Sequence, residues 1–88
     1  MSLAAPATVT LHVLLFARYA ELLGQDTLTV TLPAPATVGD LIARVRAEPG
    51  GTGLPARVLA AVNLVQASDA TPLAEADEVA LLPPLAGG

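Results

Sequence analysis

Thr37-Val38-Gly39-Asp40-Leu41-Ile42-Ala43-Arg44-Val45-Arg46 is the clearest element of the chain. Val38, Leu41, Ile42 and Val45 fall at i, i+3, i+4 and i+7, a single apolar stripe at helical spacing. Thr37 stands as N-cap, and Asp40 three residues on gives the capping-box spacing, with Asp in place of the usual Glu or Gln. Arg44 and Arg46 lie near the C-terminal end, where the helix dipole favours cations. Glu48-Pro49-Gly50-Gly51 close the helix. A stripe of this width has to be buried against something, and the flanking segments supply a sheet.

Upstream, Thr8 to Phe16 alternate on a period of two. Val9, Leu11, Val13 and Leu15 share one face; Thr10, His12, Leu14 and Phe16 share the other. Both faces are largely apolar, so the reading is a central strand. Tyr19, Leu22 and Leu23 give a short helical turn over Arg18 to Leu23, ended by Gly24. Thr27 to Leu32 form a second strand, hairpin-related to the first, before Pro33 and Pro35 break the pattern. Downstream, Thr52 to Leu59 read as a loop with a helical turn starting at Pro55. Ala61 to Gln66 read as one strand, Ser68 to Thr71 as a turn and Leu73 as an isolated apolar anchor. Val79 to Leu82 read as a last buried strand. Strand, strand, helix, strand, strand is an α+β order, a helix crossing one face of a mixed sheet. The first and last strands are expected side by side at its centre.

Eighty-eight residues make one domain. Residues 1–7 are expected to be a loose arm, 8–84 the domain and 85–88 a mobile tail. Aromatics are only 2% of the chain, Phe16 and Tyr19, so the core is aliphatic. The absence of cysteine removes disulfides, thiolate metal sites and a cysteine nucleophile. The net charge is −4, with no lysine and only Arg18, Arg44, Arg46 and Arg57 positive. Such a balance argues against nucleic acid or an anionic membrane as partner. No apolar run reaches the ~20 residues of a spanning helix, and no basic residue precedes the first apolar run, so the expected location is cytoplasmic.

Catalytic groups are sparse. His12 is the sole histidine and lies mid-strand, short of the ligands a metal site needs. Ser2 and Ser68 resemble no nucleophile elbow. Asp69, Glu75, Asp77 and Glu78 line a turn. Gly50-Gly51-Thr52-Gly53 lacks the lysine of a phosphate loop and reads as a flexible loop. Asn63 reads as a hydrogen-bonded structural residue. What remains is the end of the chain, Leu82-Pro83-Pro84-Leu85-Ala86-Gly87-Gly88. Pro83 and Pro84 lack N–H groups and stop the ladder. Four extended residues beyond them reach roughly 13 Å. Gly87 and Gly88 have no Cβ, so the end can thread a narrow channel and present its carboxylate uncovered. A carboxylate becomes a useful electrophile only when another enzyme gives it a good leaving group, so this chain is suited to being handled rather than to catalysing alone.

Leu14-Leu15-Phe16-Ala17-Arg18, Thr37-Val38-Gly39-Asp40-Leu41, Ala60-Ala61-Val62-Asn63, Asp77-Glu78-Val79-Ala80 and the tail occur in an order that resembles the small, sulfur-carrier subunits of molybdopterin synthase, a MoaD/ThiS-like family. The resemblance implies a β-grasp, ubiquitin-like fold. It implies that the Gly88 carboxylate is adenylated by a ubiquitin-activating-like enzyme using ATP, and then converted to a thiocarboxylate by a sulfur donor. The tail would enter the large synthase subunit, in a heterotetramer, and sulfurate a cyclic pyranopterin precursor to form the molybdopterin dithiolene. No metal and no bound cofactor belong to the small subunit in this scheme. Gly87 and Gly88 would be the reactive end, with Leu82, Pro83, Pro84, Leu85, Ala86 and Arg18 contacting partners.

The chain departs from the pattern of the family it resembles in three places. Ala76 stands where a glycine commonly precedes Asp-Glu-Val, and a turn requiring positive φ would strain it. Leu82 stands in place of a common aromatic, and Ala20 in place of a basic residue that Arg18 could replace. The rival readings are a sulfur carrier for thiamine thiazole synthesis, a protein modifier joined to lysines of other proteins, and a plain binding module.

Overall fold

The computed structural model describes residues 7–84. Five strands form the main sheet: β1 (Thr8–Leu15), β2 (Thr27–Pro33), β4 (Leu59–Val62), β5 (Val65–Ala67) and β7 (Glu78–Leu82), in the order β2-β1-β7-β4-β5. β1 runs antiparallel to β2 and parallel to β7; β7 runs antiparallel to β4. A second, two-stranded sheet joins β3 (Ala36–Thr37) to β6 (Pro72–Leu73). Helices α1 (Arg18–Leu23) and α2 (Val38–Arg46) complete the fold. A mixed sheet gripping one main helix is the β-grasp arrangement, and the expected adjacency of first and last strands holds. Among the described residues no helix is long and apolar enough to cross a membrane.

The helix forms where its sequence pattern places it. Thr37 has extended dihedrals, its Oγ1 accepts from the Asp40 N–H at 3.3 Å, and the Asp40 carboxylate accepts from the Thr37 N–H at 2.9 Å. Asp thus closes the capping box that Glu usually closes. Val38, Leu41, Ile42 and Val45 are all buried, against the inner sheet face of Val9, Leu11, Val13, Leu15, Val30, Leu32, Val79 and Leu81. The sheet's other face is open. β1 is therefore central in strand order but covered on one side only: His12 is exposed and Leu14 half-exposed.

Four stretches differ from their sequence reading. Ala61 to Gln66 is not one strand but a tight hairpin, with Asn63 (φ 49) and Leu64 (φ 74) as its two turn residues. Positive φ at both positions is the type I′ pattern, which normally takes Asn-Gly; leucine at the glycine position disguised the turn. The helical turn does not start at Pro55. A short 3₁₀ turn covers Gly51–Gly53, and Leu54 is extended ahead of the proline. The glycine loop is not an open flexible segment. A Cβ on Gly50 would run into the Leu22 carbonyl, and one on Gly51 into the Val45 carbonyl, so these glycines let α1, α2 and the loop approach closely. The Arg46 guanidinium then donates to the carbonyls of Leu54, Pro55 and Ala56 at 3.2, 2.7 and 3.1 Å. Leu73 is buried as expected, but as part of β6 rather than as an isolated anchor.

The acidic turn is laced to the sheet. The Asn63 side chain donates to Asp77 at 2.9 Å and accepts from the Glu78 N–H at 3.0 Å, so its role is structural as read. Asp77 also accepts from Ala74 N–H, and Glu75 from Thr10 N–H. Ala76 sits within this turn at φ 69 and donates its N–H to the Thr10 carbonyl at 2.8 Å. Left-handed backbone costs a non-glycine residue roughly 1–2 kcal/mol. Glycine is freer in the unfolded chain, which offsets about 0.4–1 kcal/mol of that gain. Ala76→Gly is accordingly expected to stabilise the fold by ~0.5–1 kcal/mol in urea unfolding.

Tyr19 supplies a second test. Its ring is buried and its hydroxyl has no hydrogen-bond partner. Burial pushes the phenol above its ordinary value of 10.0, and the positive charge of Arg46 pulls partly back. Above pH 10 the unfolded chain loses the Tyr19 proton first, so stability falls as pH rises through the folded-state pKa. Tyr19→Phe should remove this contribution and raise neutral-pH stability by about 1 kcal/mol, the cost of an unpaired buried hydroxyl. Thermal unfolding of both chains at pH 7 and above pH 10 checks it.

Candidate functional site

The site is built by two pairings. β1 and β7 are parallel with Leu15 level with Leu81, and β4 meets β7 with Leu59 opposite Leu82. The last turn-free residue of β1, the end of β7 and the start of β4 therefore reach the same edge of the sheet. β7 ends at Leu82; Pro83 is half-buried and Pro84 exposed, so the ladder stops at the proline pair as the sequence implies. The described chain ends at Pro84, at this end of the sheet. Leu85, Ala86, Gly87 and Gly88 lie outside the described residues, as does the arm through residue 6; Ala7 accepts a hydrogen bond from the Ala34 N–H.

The open sheet face next to this exit is apolar. Leu14, Ala80 and Ala61 form one cross-strand row; Leu82 and Leu59 form the next, with Phe16 at the end of β1. All are at least partly accessible, Phe16 at 45%. Further from the exit the same face turns polar, with Thr29, His12 and Glu78 in one row. Most two-layer sheets alternate polar residues on the solvent side; here the apolar part of that face is confined to one end. A smaller cavity of about 410 Å³, lined by Leu14, Phe16, Ala17, Ala20 and Asp26 among others, extends the patch along α1.

Of the residues singled out from the sequence, Leu82, Pro83, Pro84 and Arg18 are described. Arg18 is exposed at the start of α1, three residues after β1 ends at the exit edge. Arg57 is exposed just before β4, at the same edge, and the sequence reading assigned it no role. Leu14, Phe16, Leu59, Ala61 and Ala80 were likewise missed as a surface. The period-two pattern showed that both faces of β1 were apolar, but only the register aligns its outer face with β7 and β4. His12 lies in the polar part of the face beside Glu78, and no group of three or more potential metal ligands occurs among the described residues. The described part of the site thus offers recognition surface.

Comparison with known proteins agrees with this geometry. The sequence profile of the ThiS family matches residues 13–88. The molybdopterin synthase sulfur carrier subunit of Drosophila melanogaster is 34% identical over 83 residues, 91% of this chain and 92% of that protein. A Pyrococcus furiosus structure described as molybdopterin converting factor subunit 1 superposes with TM-score 0.79 at 30% identity, covering 88% of this chain and 99% of that one. SAMP1 of Haloferax volcanii gives TM-score 0.76 at 28% identity, over 90% and 99%. A protein–protein complex of subunits 1 and 2 of molybdopterin-converting factor from Helicobacter pylori shares the fold at TM-score 0.66 and 21% identity, over 91% and 100%. With the profile spanning nearly the whole described domain and its C-terminal end, the chain belongs to the ThiS family.

Proposed function

We propose that this chain is the sulfur carrier of molybdopterin synthase, with the Gly88 carboxylate as its one reactive group. The observation that carries the reading is the convergence of an apolar end of the sheet and a proline-terminated central strand on Pro83 and Pro84, after which the sequence runs to Gly87 and Gly88. An activating partner transfers AMP from ATP to the carboxylate, releasing pyrophosphate. A sulfur nucleophile attacks the acyl carbon and expels AMP, leaving a thiocarboxylate. Its sulfur is delivered to a pyranopterin precursor in the large subunit, and hydrolysis of the acyl–sulfur bond restores the carboxylate. No cofactor is held by this chain; ATP belongs to the partner's site. The chain is then the sulfur-donating subunit of a transferase rather than an enzyme by itself.

The outer-face rows around Leu14, Ala80 and Leu82 form the docking surface in this scheme, and Pro83 and Pro84 direct the tail outward. The Drosophila relative favours molybdopterin over thiamine thiazole as the pathway served. The likeness to Haloferax volcanii SAMP1, small archaeal modifier protein 1, favours a second use as a modifier. The lack of lysine then confines it to attachment on other proteins, since it cannot be linked through lysines of its own.

Reconstituted synthase with activating enzyme, ATP and sulfur donor tests the reading. Deleting Gly88 retracts the carboxylate by up to ~3.6 Å, and misplacement of about 1 Å already costs on the order of 10²-fold. The deletion, a one-residue extension and Gly88→Val should each lower molybdopterin formation at least that much with unchanged thermal unfolding. Near-normal product from the deletion would overturn the proposal.

The surface has its own test. Ala80→Arg places a charge in the centre of the apolar rows, and Leu85→Asp does so in the tail. Each should weaken large-subunit binding tenfold or more in calorimetric titration, because truncating or charging a desolvated anchor commonly costs over 1 kcal/mol. Neither should change the unfolding midpoint appreciably.

A further inference from the structure

A separate cavity of about 570 Å³ opens where α2 meets the open end of the β4–β5 hairpin. Ile42, Ala56 and Val58 give it apolar lining; Arg46, Arg57 and Asp69 give it charge. Two of the four cations of a chain with net charge −4 therefore face one opening. Arg46 is fixed by its three carbonyl partners. Arg57 is exposed and makes no ion pair or side-chain hydrogen bond among the described residues.

β5 borders this cavity through Gln66 and Ala67 and is the terminal strand of the sheet. Val62 and Val65 close the two-residue hairpin as a hydrogen-bonded pair. By alternation, Gln66 turns its N–H and C=O away from β4, toward the free edge. Native edges are usually blunted by short length, proline, charge or a bulge; β5 is short, at 3 residues, but Leu64-Val65-Gln66-Ala67 carries neither proline nor charge. Leu64 and Val65 are 89% and 68% exposed, the most exposed large hydrophobic residues described. Leu64 also holds φ 74, where glycine would be unstrained. Burial within this chain accounts for none of these choices.

We propose that β5 is a peptide-docking edge, adjoining the tail-exit end of the sheet through Arg57 and Leu59. An extended acidic segment of a partner protein pairs with Gln66, seats an apolar side chain against Ile42 and Val58, and sets a carboxylate against Arg57. Strand addition supplies the affinity and the pocket beside it the selectivity. The occupant is acidic because the opening presents two guanidinium groups against one carboxylate. The β5 edge of a second copy would bring Leu64 to Ala67, which offers nothing anionic to Arg57. The proposal is independent of sulfur chemistry at Gly88.

The test is an NMR titration of the full ¹⁵N-labelled chain with acetyl-Thr-Val-Thr-Val-Glu-Val-Thr-amide and with its Glu-to-Lys counterpart. The acidic peptide is expected to shift the Gln66 amide and the Arg57 side-chain N–H saturably, at least tenfold more tightly than the basic one. Arg57→Glu should reverse that preference, which separates charge recognition from any loss of fold, and Gln66→Pro should weaken both peptides. Absence of a saturable Gln66 shift, or equal affinity for the two peptides, overturns the proposal. So do β5 shifts that grow with protein concentration alone, which would make a second copy the occupant.

Discussion

The parallel pairing of β1 with β7 holds the architecture together. It joins the two ends of the described chain, with His12 to Leu15 level with Glu78 to Leu81, and closes nearly the whole domain as one loop. Loop-closure entropy rises only slowly with length, so the fully buried rows of Leu11, Val13, Val79 and Leu81 readily outweigh it. Because the last strand is central, its end is paired on both sides, with β1 and with β4.

Packing elsewhere serves to hold that sheet against its helix. The Thr37–Asp40 capping box starts α2, and Arg46 finishes it by gathering three carbonyls of the following loop. Gly50 and Gly51 allow the loop to pass against α1 and the end of α2 without a Cβ in the way. With one face of the sheet covered by helix, the other is left open. The apolar character of its outer rows near the exit, and their replacement by Thr, His and Glu further along, divides one face into a contact region and a solvated region. The β5 edge adds a second accessible surface built on different physics, unpaired backbone beside cationic side chains rather than an apolar plane.

Local strain is distributed unevenly. Ala76 holds positive φ inside a turn fastened by Thr10, Glu75, Asn63 and Asp77, so the surrounding hydrogen bonds enforce a conformation that alanine resists. Leu64 holds positive φ at an exposed turn with no such fastening beyond the hairpin itself. The first is a strained position that the network absorbs. The second lies in an accessible strand edge, where the side chain has no core to fill.

The sequence by itself determined the elements whose signals are local. The i, i+3, i+4 stripe and Thr37–Asp40 spacing located α2, period-two alternation located β1 and β2, and the proline pair located the end of β7. It also pointed to the Gly88 terminus, by the scarcity of other reactive groups and by a specific tail. Tertiary structure decided whatever depends on register and close approach. Asn63-Leu64 became a hairpin turn because β4 and β5 pair, which a leucine in a glycine position concealed. Gly50 and Gly51 became packing glycines because Leu22 and Val45 carbonyls come up against them. Leu14, Leu59 and Ala80, distant in sequence, became one surface because strand register sets them side by side, and side-chain periodicity carries no information about which strands will be neighbours.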